Sequence, residues 1–192
     1  MVEAHSSASE LIFASNGASF AIIARGNFRE APAGYALIAP GLAVSGDPQA
    51  VAGVTEQHRT GKTGAPEMLV YAEPLVANPI WAVAHGSATL PLSGNLANLN
   101  RILQATDYTT LTAQTGDTLS IEIAGICRTA DAAAQLERTI RAFVSLLGMR
   151  SRRSGPVQIE TQNATVRVKL TADPADVERL MRLGGPPAAV PK

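Results

Sequence analysis

The sequence predicts an α+β fold built from antiparallel sheets with helices packed on one face. Short runs in which apolar and polar residues alternate recur along the chain, as at 119–126, and this alternation is typical of half-buried strands. At 130–147, apolar residues recur every three or four positions, which indicates an amphipathic helix. With 192 residues, 46% of them hydrophobic and 17% charged, the chain can bury a substantial core.

The first part of the chain is expected to contain a loose leader and three strands. Residues 1–18 are interpreted as the leader because the chain begins with a polar stretch. Three short apolar runs bounded by turn residues predict strands at 19–25, 35–39 and 42–45. Pro40 and Gly41 separate the last two runs, and this turn pair predicts a hairpin.

Two helices are expected after this hairpin. Asp47 can cap the first helix, Pro48 suits its first position, and Gly61 offers an exit. The segment 66–72 could be a second, short helix closed by Pro74. It could equally be extended, and the sequence leaves both alternatives open.

The second part of the chain predicts a larger set of elements around the long helix. Thr129 is placed to cap that helix and Gly148 to end it, with Leu136 and Ile140 on its apolar face. The expected strands are 80–85, 108–113, 119–126, 157–161 and 166–170. The other expected helices are 96–105 and a final helix that starts at Asp173 and Pro174.

Two pairs of similar segments predict an internal duplication. Residues 22–27 (IIARGN) resemble residues 82–87 (AVAHGS), and the strand-then-helix segment 42–59 resembles 119–147. We interpret the chain as two diverged ferredoxin-like units of the order strand–helix–strand–strand–helix, the first of them trimmed. The expected domains are a leader at 1–18, a first repeat at 19–78, a fuller second repeat at 79–182 and a flexible tail at 183–192.

The order of four motifs also resembles that of a protein family. The motifs are ARGNF, LAVSGDPQAV, PIWAVAHG and SIEIAGICRTADAAAQLERTIRAFVSLL, within residues 19–181. They look like the pattern of an uncharacterised family of exported bacterial proteins. The resemblance implies a duplicated α+β fold and an export signal, and it supplies no activity and no catalytic residues.

Charge and hydrophobicity bear on partners and compartment. The 16 basic and 16 acidic residues balance, so the broad positive field of a nucleic-acid binder is not expected. No apolar run is long enough to span a bilayer, and residues 1–10 lack the basic start and apolar centre of a signal peptide. We expect a cytoplasmic protein as the sequence is written, or an exported one if an export signal has been removed.

Few residues carry candidate chemistry, and no metal or cofactor is expected. Cys127 is the only cysteine, which excludes an intramolecular disulfide, and we expect it to be buried at the end of a core strand. Its place just before a helix would allow weak activation as a nucleophile. Glu122 is expected on a polar sheet face near Lys169, as an ordinary cross-strand pair. The segment 60–64 is not a complete phosphate-binding loop, because Glu56 stands where its first glycine is required.

Three functions are compatible with the sequence. The first is a non-enzymatic module that presents a sheet face or strand edge to a protein partner or to itself. The second is a small-molecule or lipid-binding protein with a cleft between the repeats, lined by Arg25 and His85, which end similar strands beside glycines. The third is an unrecognised hydrolase or transferase, in which His85, Cys127 or Glu122 would have to converge with another polar group.

Overall fold

A computed structural model of the protein describes residues 8–16, 18–62, 64–86, 104–146 and 157–173. This part of the chain contains two antiparallel sheets and three α-helices, so the predicted α+β class is confirmed. The chain divides into two compact units, Met1–Ala65 and Pro66–Lys192. The final helix predicted from Pro174 onward and the tail at 183–192 lie outside the described residues, as does nearly all of the helix predicted at 96–105.

The first unit contains a four-stranded antiparallel sheet in the order β1-β2-β4-β3. Its strands are β1 (Ala8–Ser15), β2 (Phe20–Gly26), β3 (Ala36–Ala39) and β4 (Leu42–Gly46). The predicted hairpin between β3 and β4 is confirmed, and Gly41 in its turn has a φ of 75°. A Cβ atom at Gly41 would lie 2.7 Å from the carbonyl oxygen of Gly26, so this turn needs glycine for both its backbone and its space.

Strand β1 corrects the expectation that residues 1–18 form a loose leader. It pairs with β2 from Ala8 to Ser15, with a β-bulge between Ala8 and Glu10. In the turn between the two strands, Asn16 Oδ1 accepts hydrogen bonds from the amides of Ala18 and Ser19 at 3.0 and 2.9 Å. Asparagine favours such turns because its side chain satisfies backbone donors locally. The apolar run at 11–13 is the sequence signal for this strand.

Helix α1 (Pro48–Thr60) follows β4 and contacts β2 and β4. Pro48 lies in its first turn and Gly61, with a φ of 65°, ends it, both as predicted. Asp47 makes no side-chain capping bond to the helix. Its carboxylate accepts a hydrogen bond from the amide of Phe20 at 2.9 Å, and its own amide donates to the carbonyl of Phe20 at 3.0 Å. Asp47 therefore fastens the end of β4 to the start of β2.

The second unit contains a five-stranded antiparallel sheet in the order β5-β6-β7-β9-β8. Its strands are β5 (Ile80–His85), β6 (Tyr108–Thr115), β7 (Leu119–Ile126), β8 (Gln158–Gln162) and β9 (Thr165–Ala172). Its described helices are α2 (Pro66–Ala72), which a short 3₁₀ turn (Glu73–Leu75) follows, and α3 (Ala130–Leu146). The segment 66–72 is therefore a helix, and it contacts β5.

Helix α3 packs on one face of the second sheet. Its first turn is capped as predicted, because Thr129 Oγ1 accepts a hydrogen bond from the amide of Ala132 at 3.1 Å. Gly125 of β7 leaves room for the helix, since a Cβ atom there would lie 3.0 Å from Cδ2 of Leu136. The buried cluster between helix and sheet consists of Cys127, Ala133, Leu136 and Val166.

The strand orders of the two sheets match, but the matched strands are not those that the likeness of residues 22–27 to 82–87 predicts. This likeness equates β2 with β5, but β2 has a neighbour on each side and β5 is an edge strand. The order β1-β2-β4-β3 instead matches β6-β7-β9-β8. One difference stands out between the matched strands: the β2–β3 connection at 27–35 contains no helix, and the β7–β8 connection contains α3.

We expect Leu136→Ala to lower the free energy of unfolding by about 2–5 kcal/mol, because it leaves a cavity under α3 where the side chain is 3% exposed. Leu69→Ala in α2 is the control, since that side chain is 51% exposed and its loss should cost less than about 1 kcal/mol. Urea denaturation followed by the fluorescence of Trp81 measures both. Equal losses at the two positions would contradict this packing.

Candidate interaction surface

The two sheets can be compared face by face because one backbone hydrogen bond recurs in both. The amide of Gly26, at the end of β2, donates to the carbonyl of Gly41 at 3.0 Å. The amide of Cys127, just after β7, donates to the carbonyl of Ala164 at 2.8 Å. Each bond joins the second of the matched strands to the turn of the next hairpin. In antiparallel strands, residues whose amides point to the same neighbour also place their side chains on the same face.

It follows that one face of the first sheet corresponds to the helix-covered face of the second. Residues two apart in a strand share a face, so Phe20 lies on the face of Gly26, and Gly125 lies on the face of Cys127. Leu136 of α3 packs directly over Gly125. The face of β2 that carries Phe20 is therefore the one that a helix such as α3 would cover.

In the first sheet, this face is apolar, and large side chains at its margins are exposed. Four of its large side chains are exposed: Leu11 by 45%, Phe13 by 66%, Phe20 by 39% and Leu37 by 39%. We call these four residues the apolar face. The rings of Phe13 and Phe20 stack at a centroid distance of 5.9 Å, which makes an aromatic pair at the β1–β2 end of the face.

The strand register shows how the apolar face crosses the sheet. Leu11 lies opposite Ala24, Ala24 opposite Ala43, and Ala43 opposite Leu37, so one row runs through all four strands. The two alanines are 0% exposed. The exposed apolar area therefore lies on the edge strands β1 and β3 and at the start of β2.

The opposite face of the second sheet is charged rather than apolar. Glu122 lies opposite Lys169, as predicted, with 3.5 Å between its carboxylate and Nζ, and 3.8 Å from Nε of Arg167. All three side chains are 41–50% exposed, so each ion pair contributes only about 0–1 kcal/mol. This surface is a solvated sheet face, and cross-strand pairing accounts for Glu122.

Cys127 lies at the end of the core strand β7, as predicted, and its side chain is 5% exposed. Burial raises the pKa of its thiol, and the negative charge of Asp107 raises that pKa further. These effects outweigh any lowering of the thiol pKa by the start of α3, so the expectation of weak activation is wrong. The thiol remains neutral at physiological pH and is a poor nucleophile.

His85 belongs to an aromatic group at one end of the second sheet. Its ring meets Tyr108 edge-on at a centroid distance of 5.2 Å, and Tyr108 stacks on Tyr71 of α2 at 4.4 Å. Desolvation raises the pKa of Tyr108, followed by the negative charge of Glu67. This group attaches α2 to β5 and β6, which gives His85 a structural contact.

Arg25 lies on the face of the first sheet opposite the apolar face. Its guanidinium pairs with Glu10 across β1 and β2 at 2.9 Å, and its side chain is 65% exposed. Arg25 belongs to the first unit and His85 to the second, so the predicted cleft between the repeats stays a prediction. Sequence reasoning missed the apolar face, for which the run at 11–13 is the one available signal.

The chain shows no similarity to known proteins from which a function could be transferred. No known protein family matches the chain, and neither a curated protein nor a solved structure was found to be similar to it. Among the described residues, no three His, Cys, Asp or Glu side chains are grouped so that they could hold a metal ion. None of the helices in the same ranges is long and apolar enough to cross a membrane. Function must therefore be inferred from the contacts of the chain itself.

We expect the Cys127 thiol of the folded protein to react with iodoacetamide much more slowly at neutral pH than in urea, because it is buried and its pKa is raised. Mass spectrometry of timed samples measures both rates. Since folding favours the neutral thiol, its contribution to stability should be fully present below the ordinary thiol pKa of 9.0 and lost as the pH rises through the raised pKa of the folded protein. Faster alkylation of the folded protein than of the unfolded protein would show an activated cysteine.

Proposed function

We propose that the protein is a non-enzymatic interaction module whose first sheet binds a protein partner through the apolar face. The observation that carries this proposal is the exposure of Leu11, Phe13, Phe20 and Leu37 on the face that corresponds to the helix-covered face of the second sheet. Leu11, Phe13 and Phe20 lie close together on β1 and the start of β2, and groups of exposed large apolar side chains mark interaction sites. A partner would cover the exposed side chains at the margins of this face, since Ala24 and Ala43 at its centre are already buried.

The energetics of the apolar face suit a protein interface. Complete burial of a large apolar side chain is worth about 1.5–3 kcal/mol, and these side chains still have roughly two-fifths to two-thirds of that area to lose. The stacked rings of Phe13 and Phe20 offer a rigid aromatic anchor of the kind that dominates binding energy at interfaces. A partner with a complementary apolar surface would gain most from these two rings.

The residues that could carry chemistry have structural partners, which favours an interaction role over a hydrolase or transferase. The thiol of Cys127 is neutral and buried. Glu122 is paired with two cations, and His85 packs against Tyr108. Each of these residues therefore has a packing or pairing role that needs no reaction.

We also propose that the two sheets are diverged copies of one ferredoxin-like unit. The shared antiparallel strand order supports this proposal, as does an Asp-Pro pair that follows the last matched strand in each copy, at 47–48 and 173–174. In this correspondence, β1–β4 match β6–β9, and the first copy has lost its crossover helix. Membership in the exported bacterial family stays a further proposal.

A photo-crosslinking amino acid at position 13 tests the interaction proposal. We expect Phe13→benzoylphenylalanine to form a protein adduct in an extract of the source cells, because position 13 is the most exposed part of the apolar face. The same amino acid at Lys169, which is about half exposed on the charged sheet face, is the matched control. Equal yields at both positions, or none at either, would refute the proposal.

A second substitution separates binding from folding. Adding Leu37→Ser to the position 13 variant should lower the adduct yield, by about tenfold for each 1.4 kcal/mol of binding energy lost. Because Leu37 is 39% exposed, we expect the free energy of unfolding to change by less than about 1 kcal/mol. Urea denaturation checks the stability. An unchanged yield would exclude Leu37 from the interface.

A further inference from the structure

Strand β1 forms an outer edge of the first sheet, and the direction of its backbone groups can be derived. The amide of Gly26 and the carbonyl of Phe20 both point from β2 toward β4. The backbone N–H and C=O groups of successive residues in a strand point alternately to its two sides. Those of the odd-numbered residues of β2, such as Ile23, therefore point toward β1. Ile12 lies opposite Ile23 and bonds to β2, so Leu11 and Phe13 direct their N–H and C=O groups away from the sheet. Among the described residues, no strand pairs with this outer side.

The β1 edge has one of the features that usually prevent strands from pairing with other chains, a β-bulge between Ala8 and Glu10, and its pairing with β2 is regular from Glu10 to Ser15. It has eight residues and contains no proline or lysine. Its one charged residue, Glu10, is already paired with Arg25 at 2.9 Å. The two side chains that flank its centre, Leu11 and Phe13, are 45% and 66% exposed. Long, apolar edges of this kind are templates for strand addition.

We propose that β1 pairs with β1 of a second copy of this chain, in an antiparallel register centred on Ile12. Two four-stranded sheets would then form one continuous sheet of eight strands, and the two apolar faces would become one surface. The proposal goes beyond the proposed interaction function, because the dimer uses the edge of β1 and leaves the apolar face available to a different protein.

The sequence of β1 is self-complementary in this register. A twofold axis perpendicular to the sheet keeps corresponding side chains on the same face, so it passes through a residue position rather than between two positions. With the axis at Ile12, Leu11 lies opposite the partner's Phe13, and both residues belong to the regular part of β1, outside its bulge. Moving the axis to Leu11 or to Phe13 would place a large apolar side chain opposite a serine.

The charge on β1 also favours this register. Glu10 lies opposite the partner's Ala14, so the two carboxylates do not face each other. Each Glu10 keeps its ion pair with Arg25 of its own sheet, which lies on the side of β1 away from the second copy. The pairing therefore adds no like-charge contact across the strands.

An engineered disulfide tests the register. The two Ile12 residues form a pair without mutual hydrogen bonds, with a Cα–Cα distance of about 4.5 Å, which is within the range that a disulfide spans. We expect Ile12→Cys, in a Cys127→Ala background, to form a covalent dimer under mild oxidation. Ala14→Cys in the same background is the control, because its two copies would be about 13 Å apart along the strands.

A substitution that blocks the edge tests the dimer without a disulfide. Leu11→Pro removes a donor that points away from the sheet and leaves the bonds of β1 to β2 intact. In sedimentation velocity, we expect the native chain to become dimeric as its concentration rises and Leu11→Pro to remain a monomer. Leu37→Ser on the opposite edge strand β3 should dimerise like the native chain, since its site lies away from β1.

Two results would overturn the dimer. One is a native chain that stays monomeric at every concentration while Ile12→Cys forms no disulfide. The other is equal cross-linking of Ala14→Cys and Ile12→Cys, which would indicate random collisions. If the dimer fails but the photo-crosslinker at Phe13 still captures a different protein, the proposed interaction function stands without the dimer. If both fail, the proposed function fails with the dimer.

Discussion

Burial of one sheet face beneath a helix is the constraint on which this structure depends. In the second unit, α3 meets this requirement, because Leu136 packs over Gly125 and against the buried Val166. The first sheet has the matching strand order, but its β2–β3 connection contains no helix. Phe13, the most exposed large apolar residue of that sheet, lies on the face that a helix would cover. The same strand order thus carries a helix-covered face in the second sheet and, in the first sheet, a face with exposed apolar side chains at its margins.

The structure distinguishes reactive side chains that have structural partners from apolar side chains that are exposed, a distinction that the sequence alone does not make. Cys127, His85 and Glu122 attract interest as chemical groups, but each is engaged in packing or pairing. Leu11 and Phe13 are not candidate functional residues in the sequence, because apolar residues in a strand are expected to be buried. Their exposure becomes informative only when the sheet shows which face they occupy. A buried polar group or an exposed apolar patch says more about function than a reactive residue type does.

Local patterns in the sequence predict most of the elements but not their neighbours. Alternation and turn residues are enough to predict β6, β7 and the Thr129 cap of α3, since these depend on residues close in sequence. Asp47 follows the capping pattern, yet its carboxylate bonds to Phe20, which is distant in sequence and whose amide competes for it. The likeness of 22–27 to 82–87 does not extend to the positions of the two strands, since β2 lies between two strands and β5 at the end of its sheet. The apolar face required the strand register, which no local pattern contains.

Residue-resolved amide hydrogen exchange of β1 tests most directly whether the outer edge of this strand is unpaired in the monomer and paired in the dimer. At a concentration where the chain sediments as a monomer, we expect rapid exchange at Leu11 and Phe13 and slow exchange at Ile12, which bonds to β2. At high concentration, all three amides should exchange slowly. Slow exchange at Leu11 and Phe13 in the monomer would contradict the account, because the edge would already be covered within one chain.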